Sequence, residues 1–203
     1  MNIRVFCSIF LSCVLTCLCS GQARSKAYVG PNALGPYELG KRTLMSTIFD
    51  HLKVSPIKQV SPICFRSTDG TYMWIERMGV DTSEERALVG SILLSVFPNC
   101  VASPVYDTSE AVGKWQTKEG LGLGSTKLDV LRTYGKPTED NLIKGDLYRG
   151  IIVGDFRNGH YSIKPKPNIG EEVLEYSATD TLLSADFGLH NGVVIWIVIS
   201  ENP

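Results

Sequence analysis

The sequence is poor in the residues from which metal sites and nucleophilic catalytic sites are usually built. It has only three histidines, His51, His160 and His190, and no two of them have the spacing of a helical metal pair. The Gly-x-Ser-x-Gly signature of a serine nucleophile does not occur, and Lys127 follows Thr126 instead of preceding it as a phosphate-binding loop requires. We therefore predict no catalytic residues, no metal ligands and no cofactor.

An excess of charge of one sign is also lacking. The 20 lysines and arginines and the 21 aspartates and glutamates leave a formal net charge of −1. Nucleic acids and anionic lipids attract basic surfaces, so this balance favours neither as a partner. We predict a protein as the partner.

Long apolar runs are absent except at the N-terminus. A basic start ending at Arg4 precedes the apolar run Val5–Cys19, and small or polar residues follow as far as Ala23. This order is typical of a secretory signal, and the run is shorter than the roughly 20 residues of a membrane-spanning helix. We predict a signal peptide at residues 1–23 and a secreted or periplasmic protein without a membrane span. Lipid anchoring through Cys17 or Cys19 is the alternative, although the residues before both cysteines fit a lipid-attachment site poorly.

The remaining chain divides into a lead-in and two halves. Residues 24–38 contain two Gly-Pro pairs and little apolar periodicity, which predicts a flexible lead-in. In the first half, residues 39–117, apolar residues at helical spacing predict a short helix that ends before Pro56. Three strands should follow, at Gln59–Ser67, Thr71–Met78 and Ala87–Phe97, with Asp69-Gly70 as the turn between the first two.

The second half, residues 118–203, begins with the most informative segment, Gly120 to Pro137. Thr126 and Asp129 have the spacing of a capping box, which predicts a helix start at Thr126. Gly135 suits the position after the last helical residue, and Pro137 prevents continuation. Strands are predicted after it at Leu147–Phe156, His160–Ile163, Val173–Ser177, Leu182–Leu189 and Val193–Ile199, with His190-Asn191-Gly192 as the turn between the last two.

This segment carries a family resemblance. The pattern Gly120-x-x-x-Gly124-x-Thr126-x-x-x-Val130-x-x-x-x-Gly135-Lys136-Pro137 resembles a motif of exported bacterial proteins. In layout the chain is similar to the small outer-membrane-assembly lipoproteins and to the β-lactamase-inhibitory-protein fold, in which two helix-and-sheet modules stand in tandem. The resemblance covers roughly residues 118–203, with a weaker similarity at 39–97. It implies a fold and says little about function, since such proteins include assembly factors and inhibitors.

The predicted fold class is α+β, with short helices packed on an antiparallel sheet. Ile48, Phe49 and Leu52 precede Val130, Leu131 and Tyr134 by a constant 82 positions. This offset is compatible with two tandem helix-plus-hairpin modules or with one α+β domain in which two helices share a sheet.

Two sets of residues are candidates for a role outside the core. Cys64 and Cys100 are the only cysteines after the signal, and export favours a disulfide between them. Tyr72, Trp74 and Trp115 are candidate interface residues, because Tyr and Trp are common anchors of protein interfaces. The expected function is a non-enzymatic exported protein for binding or envelope assembly. The alternatives are an inhibitor of a secreted enzyme and a hydrolase with an unrecognised site.

Overall fold

The computed structural model describes residues 28–57, 62–78, 87–98, 104–142, 154–157, 160–163, 172–178 and 183–201. The elements in chain order are β1 (Ala33–Leu34), β2 (Tyr37–Glu38), α1 (Met45–Leu52), β3 (Ile63–Ser67), β4 (Tyr72–Met78), β5 (Leu88–Ser95), β6 (Val105–Thr108), a 3-10 helix (Val112–Lys114), α2 (Lys127–Tyr134), β7 (Glu139–Leu142), β8 (Gly154–Arg157), β9 (His160–Ile163), β10 (Glu172–Ser177), β11 (Leu183–His190) and β12 (Val193–Glu201).

Eight of these strands form one sheet, in the order β6-β3-β4-β5-β12-β11-β10-β7. Neighbouring strands are antiparallel except for β3 and β6, which are parallel. The predicted turns Asp69-Gly70 and Asn191-Gly192 lie where expected, and Gly70, Asn191 and Gly192 have positive φ angles. The predicted combination of short helices with a mostly antiparallel sheet is confirmed, and strands are the larger part of the regular structure.

α2 begins and ends as the sequence predicts, and α1 ends before Pro56 as predicted. The Thr126 side chain accepts a hydrogen bond from the Asp129 backbone N–H, and the Asp129 carboxylate accepts one from the Thr126 backbone N–H, so the capping box is present. Gly135 follows α2 with φ 74° and ψ −154°, a conformation that is open almost only to glycine. After α1, Lys53 takes the left-handed conformation with φ 55°.

The side chains of the sheet alternate between two faces, because successive residues of a strand point in opposite directions. One set lies in the main hydrophobic cluster together with the buried side chains of α1 and α2, and we call this side the core face. The opposite side is called the second face. Its residues on the six central strands include Cys64, Arg66, Tyr72, Trp74, Glu76, Ser91, Leu93, Ser95, Val173, Glu175, Ser177, Ser184, Asp186, Gly188, Trp196, Val198 and Ser200.

The strands β3-β4-β5 are repeated by β10-β11-β12 in the same order and register. Each third strand has one extra residue where its pairing with the second strand shifts, namely Gly90 in β5 and Ile195 in β12. This shared bulge fixes which residues are equivalent. The equivalent pairs used below are Cys64 with Glu175, Tyr72 with Ser184, Trp74 with Asp186, Ile75 with Phe187, Glu76 with Gly188, Ser91 with Trp196, Ile92 with Ile197, Leu93 with Val198, and Ser95 with Ser200.

The connection from each helix to its third strand is repeated as well. The backbone N–H of Met45, the first residue of α1, donates to the Ala87 carbonyl over 2.8 Å, and that of Lys127 in α2 donates to the Gly192 carbonyl over 2.8 Å. Each helix, with the three strands that share this register, is called a module: module 1 contains α1 and β3-β4-β5, and module 2 contains α2 and β10-β11-β12. The outer strands β6 and β7 are not part of the repeat, because β6 is parallel to its neighbour and β7 is antiparallel.

The lead-in prediction needs correction for residues 28–38. Instead of a flexible segment, this part of the chain contains the β1–β2 hairpin, in which the Leu34 and Tyr37 side chains are buried. The Gly35-Pro36 pair, one of the two pairs on which the flexible lead-in was predicted, is the turn of this hairpin. The Tyr37 hydroxyl donates to the Gly90 carbonyl over 2.8 Å, which ties the hairpin to β5. Residues 24–27 lie outside the described residues.

The sequence did not predict β6 or β7. β6 has the sequence Val-Tyr-Asp-Thr and β7 the sequence Glu-Asp-Asn-Leu, and neither is an apolar run of the kind from which strands were predicted. Both are outermost strands of the sheet, where only one edge is paired and polar side chains are tolerated. Of the strand predicted at Leu147–Phe156, residues 147–153 lie outside the described residues, and β8 begins at Gly154.

Candidate functional site

Two of the predicted interface residues, Tyr72 and Trp74, lie together on the second face. They are two residues apart in β4, so both side chains point away from the core face, and both are half-buried. Trp74 packs against a small apolar cluster formed by Leu93, Val173 and Trp196, with Phe97, Ile195 and Val198 at its border. The second face therefore has an apolar centre of its own.

Trp196 anchors this cluster through an unusual contact with a glycine. Its side chain is fully buried, and it faces Gly188 on the neighbouring strand β11. A Cβ atom built on Gly188 would come closer than 3.0 Å to the Trp196 ring atoms Cε2 and Nε1. The indole ring therefore lies directly on the glycine backbone, and no larger residue fits at position 188 without displacing it.

The character of the second face changes from one module to the other. Directly paired residues across the strands run Cys64, Trp74, Leu93, Val198, Asp186 and Glu175. The first four are apolar and the last two are acidic. Along this row the face is therefore apolar from β3 to β12 and acidic on β11 and β10, while Val173 and Trp196 of module 2 belong to the apolar cluster beside it.

A row of hydroxyl side chains borders this line of residues. Across five strands the paired residues are Glu76, Ser91, Ser200, Ser184 and Ser177. The Ser91 hydroxyl donates to a Glu76 carboxylate oxygen over 3.2 Å, and the Ser184 and Ser200 hydroxyl oxygens are 2.6 Å apart. These hydrogen bonds satisfy the hydroxyl groups within the sheet.

On its opposite side, the aromatic region is bordered by an exposed ion pair. Arg66 Nε donates to Asp107 Oδ1 over 2.8 Å, linking β3 to the outermost strand β6. The hydrogen bond with Asp107 is the main cause of the raised pKa of Arg66, and Tyr72 contributes to it as well. Beside them Val105 is 41% exposed, which leaves apolar area at the edge of the sheet.

Trp115, the third candidate interface residue, lies in a different part of the protein. It is half-buried and packs against the main hydrophobic cluster, away from the second face. A Cβ atom on Gly35 would be 2.5 Å from its Cδ2 atom, so its ring lies on the backbone of the β1–β2 turn. Trp115 therefore does not share a surface with Tyr72 and Trp74.

Cys64 is buried on the second face beside Trp74. The predicted disulfide partner Cys100 lies outside the described residues, so the bond stays a prediction. β5 is separated from β3 by β4, but β6 returns beside β3 and begins at Val105, directly opposite Cys64. Cys100 precedes Val105, the residue paired with Cys64, by only five positions in the sequence.

The motif residues of the second half have structural positions around α2. Gly120 and Gly124 have φ angles of 83° and 87°, and they shape the turns that lead into the helix. Pro137, two residues after Gly135, is buried behind the helix end. None of these residues contributes to the second face.

A further group of aromatic residues belongs to the core under α2. Tyr134, Tyr176 and Phe187 are in mutual ring contact, with centroids 5.7 to 6.0 Å apart. The Tyr134 hydroxyl donates to Glu119 Oε2 over 2.5 Å and lies 2.8 Å from Thr117 Oγ1. Burial raises the pKa of Tyr176 to about 12, with a smaller contribution from Asp140. These tyrosines are core residues whose hydroxyls have partners.

Clefts and polar clusters offer little for chemistry in the part of the chain that the structure describes. A shallow cleft of about 460 Å³ is lined by Val54, Ser55, Pro56, Ile57, Tyr106 and Asp107. Its carboxylate, that of Asp107, is already paired with Arg66. Within the same residues no three His, Cys, Asp or Glu side chains are grouped as a metal ion requires.

Comparisons with known proteins identify no relative. No protein-family model matches the chain, and neither does any curated protein or solved structure. Among the described residues, no helix has both the length and the apolarity needed to cross a membrane.

Proposed function

We propose that this chain is an exported protein that acts by binding another protein, and that the module 1 part of the second face is its binding surface. Secretion or location in the periplasm follows from the signal-like residues 1–23. The role in binding or envelope assembly follows from the resemblance of residues 118–203 to exported modules. The location of the surface is argued from the described residues in the steps below.

The first step is the layout of the two modules. We propose that they stand in tandem and that both helices lie on the core face. The support is that the buried residues of α1 and α2 belong to the same cluster as the core-face residues of the strands. This arrangement leaves the second face without a helix of either module.

The second step compares equivalent residues on the core face. Ile75 corresponds to Phe187, and Ile92 corresponds to Ile197. All four are fully buried. Packing against the helices requires apolar side chains in both modules, so the core face has the same character in each.

The third step makes the same comparison on the second face, and it is the observation that carries the proposal. Trp74 corresponds to Asp186, and Tyr72 corresponds to Ser184. The same backbone position therefore accepts a large aromatic residue in one module and a small or charged residue in the other. The fold does not require aromatic residues there, so we attribute Tyr72 and Trp74 to binding.

The chemistry of the surface defines the partner that would suit it. Half-buried Tyr and Trp side chains are pre-ordered and lose little side-chain entropy on binding, which makes them effective anchors. The Arg66–Asp107 pair provides a polar border. We expect a folded protein whose contact area is mainly apolar.

Site-specific photocrosslinking tests the proposal. A benzophenone amino acid placed at Tyr72 should capture one partner protein when the chain is exported in its native host. The matched control is Leu128 on α2, an apolar residue that is 53% exposed and that the proposal places outside the binding surface. A partner captured from position 72 and not from position 128 supports the proposal. Equal capture from both positions, or none from position 72, contradicts it.

A substitution then tests the neighbouring aromatic residue. Trp74→Asp installs the side chain that module 2 has at the equivalent position, and with the benzophenone residue kept at position 72 it should abolish capture of the partner. The control is Leu128→Ser, which changes an exposed apolar residue on α2 and should leave capture intact. Thermal unfolding of both variants separates loss of binding from loss of folding. If the captured partner is an enzyme that loses activity when bound, the protein is an inhibitor.

A further inference from the structure

The seam where β5 meets β12 joins the two modules. Its paired residues are Ser91 with Ser200, Leu93 with Val198, and Ser95 with Trp196. The seam is central in the sheet, with four strands on each side counting β5 and β12 themselves. The two modules therefore meet through their third strands.

The pairing across the seam is symmetric under the module equivalence. That equivalence was fixed by pairing within each module, where Leu93 corresponds to Val198 and Ser95 to Ser200. Exchanging the modules turns the Ser95–Trp196 pair into the Ser200–Ser91 pair, and it leaves the Leu93–Val198 pair unchanged. An approximate twofold axis thus passes between Leu93 and Val198.

The side chains at the seam are compatible with such symmetry. On the core face, Ile92 and Leu94 of β5 lie opposite Ile199 and Ile197 of β12, and all four are fully buried. An aliphatic strand edge thus faces an edge of the same kind. A strand edge that pairs antiparallel with its own equivalent is the arrangement of an isologous dimer interface.

We infer that the edge of the third strand is a self-pairing surface: in each module it pairs with the same edge of another module. The chain is then a fusion of two modules that pair with each other through β5 and β12. This inference rests on the tandem layout proposed above and is independent of the proposed binding surface. The outer strands β6 and β7, which differ between the halves, lie at the far ends of the sheet and leave the seam unaffected.

Circular permutation of the full mature chain tests whether the modules are the units that pair. Pro203 is joined to Arg24 through a flexible Gly/Ser linker. The chain is then opened between Glu119 and Gly120, outside both modules, in an exposed turn. The control permutant is opened between Asn191 and Gly192, inside module 2, also in an exposed turn. Gly120 and Gly192 both have positive φ and no atom within 4 Å of a built Cβ, so the two sites are matched.

The permutant opened between the modules should fold and melt within about 5 °C of the unpermuted chain, whereas the one opened inside module 2 should melt at least about 10 °C lower. A permutant opened at Gly192 that is as stable as the one opened at Gly120 would overturn the inference. Failure of the Gly120 permutant to fold would do the same. Neither result bears on photocrosslinking from Tyr72, so the two proposals fail separately.

A milder variant examines the axis directly in the unpermuted chain. Leu93→Val with Val198→Leu exchanges the two side chains across the axis and conserves their total volume. The melting temperature of the double variant should lie within about 2 °C of that of the parent chain, because volume-conserving exchanges are the best tolerated. Each single variant should melt lower than the double. Loss of stability in the double equal to the sum of the singles would show that the two positions are not exchangeable.

Discussion

Replacing Gly188 by alanine is the sharpest test of how the second face is packed. The new Cβ would overlap the Trp196 ring, and the backbone beneath it belongs to a central strand that cannot easily move. Trp196 is fully buried, so its indole has no solvent-filled space into which to shift. The ring must therefore rotate away from β11 and lose part of its packing against Leu93 and Val173.

The expected loss of unfolding free energy is in the upper part of the range that overpacked cores show. Overpacked cores lose about 1 to 3 kcal/mol, and here the intruding atom meets a rigid ring and not the end of a flexible chain. We expect Gly188→Ala to lower the free energy of unfolding by about 3 kcal/mol. At about 2 to 4 °C per kcal/mol for a chain of this size, the melting temperature should fall by roughly 6 to 12 °C.

Urea unfolding followed by tryptophan fluorescence measures this loss, and a double-mutant cycle assigns it to the contact. In a Trp196→Ser background the ring is absent, and position 196 then carries the residue that module 1 has at Ser91. Gly188→Ala should be neutral or slightly stabilising there, because alanine restricts the unfolded chain more than glycine does. An equal cost in both backgrounds would refute the ring-on-glycine argument.

Further predictions concern the helix, the core tyrosines and the cysteines. Thr126→Ala should lower stability by about 1 kcal/mol through loss of the cap, measured by chemical unfolding. Gly135→Val should cost about 1 to 3 kcal/mol in the same assay, because valine resists positive φ. The pKa of Tyr176 is raised from its ordinary value of about 10 to about 12, so its contribution to stability is complete below pH 10 and is lost as the pH rises toward 12. The urea midpoint should decline over this pH range, and the decline should be smaller in Tyr176→Phe. The predicted Cys64–Cys100 disulfide would close a loop of 35 intervening residues and should add roughly 3–4 kcal/mol to the free energy of unfolding. Intact mass of the exported protein after alkylation without reduction should show no labelled thiol, and two labelled thiols would disprove the bond.

The predictable parts of the fold are those that local chemistry decides. The capping box at Thr126, the helix end at Gly135 and the turn at Asn191-Gly192 all depend on residues within a few positions of one another. Hydrogen bonds and backbone conformations of this kind are the same in almost any tertiary context. The sequence therefore predicted α2, β11 and β12 close to their observed positions.

The parts that were missed depend on distant partners. The β1–β2 hairpin is ordered because Tyr37 reaches Gly90 and because Gly35 lies under Trp115 and donates its N–H to the Gln116 carbonyl over 3.1 Å. No local pattern indicates these contacts. A Gly-Pro pair is equally compatible with a flexible segment and with a turn, and the two buried side chains beside Gly35-Pro36 are too few to form a periodic signal.

The repeat itself was only partly visible in the sequence, for a reason that the structure explains. The helices keep the offset of 82 positions, and Leu39-Gly40 in the first half aligns with Leu121-Gly122 in the second at the same offset. The strands do not keep it, because β7, β8 and β9 lie between α2 and β10, whereas the described residues between α1 and β3 (53–57 and 62) contain no strand. A constant-offset comparison therefore loses the repeat at the first strand.

Comparing residues by their strand register recovers the repeat. It also distinguishes two kinds of residue that composition alone does not. Trp74 and Trp196 are both tryptophans in strands of the second face, and the sequence named only Trp74 as an interface candidate. The structure distinguishes them as well, because Trp196 is fully buried on Gly188, whereas Trp74 is half-buried and stands where the other module has Asp186. Removing Trp196 should therefore cost stability first, and removing Trp74 should cost binding first.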